Sequence, residues 1–336
     1  MNRNRLRILL LSAGAACAWG QPAVQNTNLR QEAASPSLAA KLEELNRGSG
    51  PLWVGYEVAV IRSSGNHYGN GCGTQYLEGG GRVRQENGAN QAPAANVYIF
   101  LRLANHAIGK VEVANHGCQI DAGGVPVVWL TGVKQEESIA VLRGLAERED
   151  ADAALMAIGI HESPAATRVL AEIASGKQSL HLRKKASFWL AAERGADGFQ
   201  VLQKLAHDEP DANFREELTF HFTLVSDPRA VDELIRMAEK DSDAKVRSQA
   251  MFWLAQKAGE KAAGFLSSAA QNDPEVEVKK KAVFALSQLP KDEGIPRLIQ
   301  VAETNASREV RKQAIFWLGQ SNDPRALKYL ETVLSR

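Results

Sequence analysis

Five histidines and cysteines, residue types that hold metals or react covalently, fall within about 50 residues of one another: His67, Cys72, His106, His116 and Cys118. Zinc takes four nitrogen or sulfur ligands, usually with closely spaced pairs such as C-x2–4-C. His67 and Cys72, and His116 and Cys118, come near that spacing without meeting it. In an oxidising compartment an isolated cysteine pair is most simply a disulfide. A Cys72–Cys118 bond is therefore the expectation, with no metal and no cofactor. The alternative is a metal- or ligand-binding site around Cys72, His116 and Cys118. Asp121-Ala-Gly-Gly124 reads as a turn, with no visible partner for a catalytic aspartate. The chain has no G-x-S-x-G, H-E-x-x-H or P-loop motif, so the sequence points away from an enzyme.

The oxidising compartment is itself an expectation from the first 20 residues. Arg3, Arg5 and Arg7 precede the apolar run Ile8–Ala18, and small residues follow, as in a secretory signal cleaved after Ala18 or Gly20. That run is well short of the roughly 20 residues that span a bilayer. The chain is thus expected to be exported, periplasmic or secreted, without a membrane span. Over all 336 residues the formal charge is +1; without the three leading arginines, 37 basic residues face 39 acidic ones. That balance gives no electrostatic case for a nucleic-acid partner, which needs a clustered basic excess.

The elements that would position these residues divide the chain. Residues 21–50 are polar, punctuated by Pro and Gly, with one helical window at Leu38–Leu45, and read as a linker. Residues 51–134 read as a small β-rich domain, with strands at Leu52–Ile61, Val97–Leu103, Lys110–Ala114 and Val125–Leu130. Asn105–Gly109 would turn a hairpin. The Gly/Asn-dense stretch around Cys72 and the glycines at 79–81 suit loops. A Cys72–Cys118 bond closing that long loop would contribute roughly 4 kcal/mol in the loop-entropy model.

From residue 135 to 336 a 32-residue register governs the chain. Val310–Leu318 (V-R-K-Q-A-I-F-W-L) repeats at Val278–Leu286, Val246–Leu254, Phe214–Phe222 and Leu182–Leu190, with a worn copy around Ala154. Leu170, Leu202, Leu234, Leu266, Leu298 and Leu330 keep the same step, each followed four residues on by a small residue in all but the last. A fixed period of 20–50 residues marks a solenoid whose units bury their apolar faces on their neighbours. The pattern predicts seven first helices and six second helices. Asp227-Pro228, Asp273-Pro274 and Asp323-Pro324 supply helix starts.

The unit Leu-x-x-x-Ala, an Asp-rich turn, then Val-Arg-x-x-Ala-x-x-x-Leu resembles the HEAT repeat in its short bacterial, bilin-lyase-like form, over about 200 residues. The resemblance implies an α+β multidomain chain, a small β-rich domain followed by an all-α, right-handed HEAT-type solenoid. Second helices would line the concave side, and the usual role would be a protein-binding scaffold. Deoxyhypusine hydroxylases share such a solenoid and use paired His-Glu motifs. This chain has the single pair His161-Glu162.

One position departs from that family. With Ala250 at 0° on a helical wheel, Val246, Trp253 and Leu254 share its face, while Phe252 falls at about 200°, between Ser248 and Gln249. Phe188, Phe220, Phe284 and Phe316 occupy the same place. Lys184, Lys185, Lys280, Lys281 and Lys312 flank them. Two readings stay open: an aromatic ladder with a basic rim that binds a protein segment, or rings that pack onto neighbouring helices. Trp189, Trp253 and Trp317 are expected in the core. His181, His207 and His221 are expected as surface or capping residues.

Overall fold

A computed structural model describes residues 22–48, 50–61, 73–79, 95–148 and 151–335. The leading segment 1–20, His67 and Cys72 lie outside the described residues.

The β-rich part contains two sheets. The five-stranded sheet has the order β2-β8-β3-β5-β6, formed by Leu29–Ala33, Val127–Thr131, Leu52–Ala59, Asn96–Ala104 and Ala107–Asn115. The β3–β5 and β5–β6 pairs are antiparallel, while β8 runs parallel to both β2 and β3. The three-stranded sheet has the order β1-β7-β4, formed by Ala23–Gln25, Gln119–Asp121 and Thr74–Tyr76, with both pairs parallel. The expected hairpin forms on a tight turn whose residues Asn105 and His106 both have left-handed φ (53° and 59°), which suits the right-handed twist of the flanking strands.

Residues 21–50 depart from the linker expectation. The helix α1 (Leu38–Leu45) forms where expected, but the residues before it are β1 and β2, paired into the two sheets. The reason is visible in β2, where Leu29 and Glu32 are partly covered and Arg30, Gln31 and Ala33 exposed: an edge strand needs little apolar content.

Thirteen helices follow among the described residues. First helices are α2 (Gln135–Leu145), α4 (Pro164–Ser175), α6 (Gly195–Asp208), α8 (Arg229–Lys240), α10 (Glu260–Asn272), α12 (Lys291–Thr304) and α14 (Pro324–Leu334). Second helices are α3 (Asp152–Ile160), α5 (Leu180–Glu193), α7 (Ala212–Leu224), α9 (Ala244–Ala258), α11 (Val276–Ser287) and α13 (Arg308–Gln320). Second helices pack on one another more closely than first helices do, which puts them on the inner side of the array. Ala166, Gly198, Ala230, Ala262, Gly294 and Ala326 hold one register near the first-helix starts, all buried, where helices cross closely. A Cβ at Gly198 would lie 2.1 Å from the Leu190 carbonyl oxygen, so that position admits only glycine. Asp323 and Asp227 cap first helices as expected. Asp273 instead leads into the second helix α11, accepting from Glu275 N.

A second register binds repeat to repeat. Arg183 donates to Glu209, Arg215 to both oxygens of Asp241, and Arg247 to both oxygens of Asp273. Each arginine lies in a second helix and each acid 26 residues on, in the loop before the next second helix. The Arg247–Asp273 pair is buried, its side chains 6% exposed on both sides. Asn305 takes the acid's place one step later and bonds to Ala270 O and Gln271 Oε1.

The β-rich part and the solenoid share a core. Val54, Tyr56, Val58, Ile99, Leu101 and Leu130 belong to the same buried cluster as Ile139, Leu142, Ile158 and the repeat leucines. At the seam, Val60 bridges to His161 and Ile61 N donates to Ile160 O. Below it runs a fully buried chain in which Tyr56 Oη–H donates to Ser138 Oγ (2.9 Å). Ser138 donates to His161 Nε2 (2.9 Å), and His161 Nδ1–H donates to Ala157 O (2.5 Å). The buried Arg194 closes the end of α3, donating to the carbonyl oxygens of Gly159, His161 and Ser163. The single His161-Glu162 pair thus supplies a structural histidine, with burial pushing its pKa down to about 4.

Candidate functional site

The phenylalanine at the divergent position is neither free nor core. Phe188, Phe220, Phe252 and Phe284 are half-buried, and Phe316 is 53% exposed. Each phenylalanine reaches the next through an aromatic neighbour, except Phe252 and Phe284, which stack directly. The row runs Trp189–Phe188 (5.2 Å between centroids), Phe188–His221 (6.0 Å), His221–Phe220 (5.9 Å) and Phe220–Trp253 (5.1 Å). It continues Trp253–Phe252 (4.9 Å), Phe252–Phe284 (6.2 Å), Phe284–Trp317 (5.1 Å) and Trp317–Phe316 (5.0 Å). Nine rings therefore form one unbroken ribbon across α5, α7, α9, α11 and α13. Edge-to-face and offset contacts of this kind add about 0.5–1.5 kcal/mol per pair beyond burial.

The packing reading holds in part: the rings pack, on one another as well as on neighbouring helices, along the inner side of the array. Trp189, Trp253 and Trp317 are half-buried: they pack against the repeat core, as expected, and also join the ribbon, because the face at their position borders the groove. Trp253 and Trp317 bury their indole Nε1 with no acceptor among the described residues. An unmade hydrogen bond of that sort costs about 1–3 kcal/mol.

The expected lysines flank the ribbon unequally. Lys184 lies 3.4 Å from Glu217, Lys185 2.8 Å from Asp152 and Lys280 2.9 Å from Glu277. A cleft of about 580 Å³ opens at the amino-terminal end of the ribbon, walled by Met156, Phe188 and Trp189 and rimmed by His181, Lys184 and Lys185. A second, of about 440 Å³, lies beside Phe220 and Trp253.

His181 and His207 are solvent-exposed, as expected. His221 is not a surface residue: its side chain is 2% exposed, between Phe188 and Phe220. Ser187 donates to Lys184 O, leaving its oxygen to accept from His221 Nδ1. Burial, with Lys184 adding to it, pushes the His221 pKa down to about 3. Its place was readable, since residue 221 stands where other repeats carry Trp189, Trp253 and Trp317.

The β-rich part brings together less of the sequence's chemistry. His116 packs at a tilt against Tyr98 (5.2 Å between centroids) and lies 3.5 Å from Glu57, half-exposed. Cys118, two residues on in sequence, is buried with Trp53, Phe100, Ile120 and Trp129. His106 bonds through Nδ1 to Asn46 O. Asp121 ends β7 at the head of the expected turn, accepting from Gly123 N, Asn26 and Gln25, contacts led by Gly123 N that hold its carboxyl below the usual range. Among the described residues no three His, Cys, Asp or Glu side chains converge as a metal site would require.

Residues 199–287 and 263–336 match the family described as HEAT repeats. Among solved structures the chain is similar to the complex of CpcE and CpcF of phycocyanin lyase from Nostoc sp. PCC7120. That match is 24% identical, covers 46% of this chain and 99% of that one, and has a TM-score of 0.35. It is similar to human deoxyhypusine hydroxylase at 16% identity over 60% of this chain and 80% of that one, TM-score 0.33. A mutant of Kap121p matches at 14% identity over 60% and 27% of the two chains, TM-score 0.39. No curated protein matches the chain.

Proposed function

We propose that this chain is an exported, non-catalytic scaffold that holds a segment of another protein against the aromatic ribbon. The observation that carries the reading is the unbroken row of nine rings on the inner side of the solenoid, half-exposed at four phenylalanines and open at Phe316. A stripe of apolar surface with a charged rim is what interaction faces present. Export is proposed on the basic-then-apolar leader, and a Cys72–Cys118 disulfide on the burial of Cys118 and on the two cysteines that such export would leave. The non-catalytic reading is supported by the placement of His161, His221 and Tyr56, strongly shifted groups that are buried in structural hydrogen bonds.

The test is capture from a periplasmic extract by the wild-type protein and by the Phe252→Ser/Phe284→Ser double variant, with circular dichroism on both. A partner retained by the wild type and lost by a variant of unchanged helicity supports the groove. Equal retention by both would move the site elsewhere.

A further inference from the structure

The charge of the solenoid is sorted by helix type. The five ribbon-bearing helices α5, α7, α9, α11 and α13 carry thirteen Lys and Arg against five Asp and Glu, a net +8. The first helices α4, α6, α8, α10, α12 and α14 carry ten against eleven, a net −1. Three of the thirteen, Arg183, Arg215 and Arg247, are committed to the acids of the inter-repeat loops. The excess that remains is concentrated at one end. Arg247 set aside, helices α9, α11 and α13 hold eight basic residues against Glu277 and Glu309 alone. Lys245, Lys280, Lys281 and Lys312 lie within about 60° of the phenylalanine on the helical wheel, on the groove face.

Resting on the scaffold reading above, we infer that the occupant of the groove is an acidic protein segment carrying apolar side chains. Those side chains would seat on the Trp253–Phe316 half of the ribbon while Glu and Asp meet Lys245, Lys281 and Lys312. Charge complementarity selects this occupant over two others. The chain's own first 21 residues contain Arg3, Arg5 and Arg7 and no acid, so they are repelled. A single-stranded nucleic acid would also stack on aromatic rings, but its unbroken run of phosphates would pass Glu277 and Glu309 on the same face. An acidic segment can place its neutral residues at those points.

The experiment uses the full chain and the emission of its groove tryptophans. Three probes are titrated: a peptide of about 18 residues alternating Glu and Asp with Leu and Phe, its Lys-for-acid counterpart, and oligo(dT). The acidic peptide alone should shift the emission, and binding should weaken as salt shortens the screening length to below about 8 Å. Lys281→Glu/Lys312→Glu should weaken it about tenfold, and Phe252→Ser/Phe284→Ser should abolish it. Binding of the basic peptide instead, lost in the phenylalanine variant, would overturn the acidic assignment and leave the scaffold reading standing. Binding of no peptide, or binding indifferent to both variants, would overturn the two together. Preference for oligo(dT) would replace the protein segment with a nucleic acid.

Discussion

The rings of Phe252 and Phe284 lie 1° from parallel with centroids 6.2 Å apart, although they belong to different repeats. Each ring covers part of the other, so removing one uncovers its neighbour. Phe252→Ser should therefore cost about 2 kcal/mol, below the 3–5 typical of a fully buried Phe truncation. Phe316→Ser, at the open end, should stay within about 0.5 kcal/mol of the wild type. Urea unfolding checks both, and both variants should lose partner.

The buried Arg247–Asp273 pair makes the opposite prediction. Arg247→Met leaves the buried Asp273 carboxylate without its cation and should cost about 3–5 kcal/mol. Lys279→Met, one repeat on, should be close to neutral, since Asn305 stands where the acid would be and is already bonded to Ala270 O. Unfolding midpoints for the two variants give the comparison. Equal losses would refute the ladder's energetic role.

Acid should loosen the solenoid. The pKa values of His161 and His221 are pushed down by burial to about 4 and about 3, below the ordinary imidazole value. The unfolded chain then holds more protons than the folded one. Their stabilising contribution is full above about pH 6.5 and is lost as pH falls toward 4, by roughly 3 kcal/mol each. His221→Phe should leave stability at pH 7 little changed and gain on the wild type as pH drops from 6.5 to 4. A constant difference between the two across that range would contradict the assignment.

Gly159 marks the head of the ribbon. A Cβ there would lie 2.9 Å from Trp189 Cβ. Gly159→Ala should displace Trp189, shift tryptophan emission and lower stability by about 1–3 kcal/mol, as overpacking does. Gly264→Ala, in open space within a helix, should be neutral or stabilising.

The solenoid was legible because its repeat is a packing period: Ala186, Leu218, Ala250, Ala282 and Ala314 are buried because each meets the same neighbour one step away. The acids Glu209, Asp241 and Asp273 stand on the same step and could have been paired with their arginines by register alone. The strands β1 and β2 were hidden because edge strands carry few apolar residues. The ribbon was half legible. A wheel puts Phe252 on the groove face, but whether its ring meets solvent or Phe284 depends on how far apart successive helices sit, which no single repeat encodes. The seam between Tyr56, Ser138 and His161 was invisible for a similar reason, joining residues up to 105 positions apart through side chains that carry no local pattern.

The ribbon gives the array a mechanical character. Its contacts cross every repeat boundary from α5 to α13, on the side where neighbouring helices come closest. Straightening the curve lengthens that side first, so Phe220 must part from Trp253, and Phe252 from Phe284, before the leucines beneath are strained. The molecule is in this sense a spring with its stiffness laid along the inner edge. A segment wedged among the rings would reset its resting length and be readable as a change in the distance between Asp152 and Phe316.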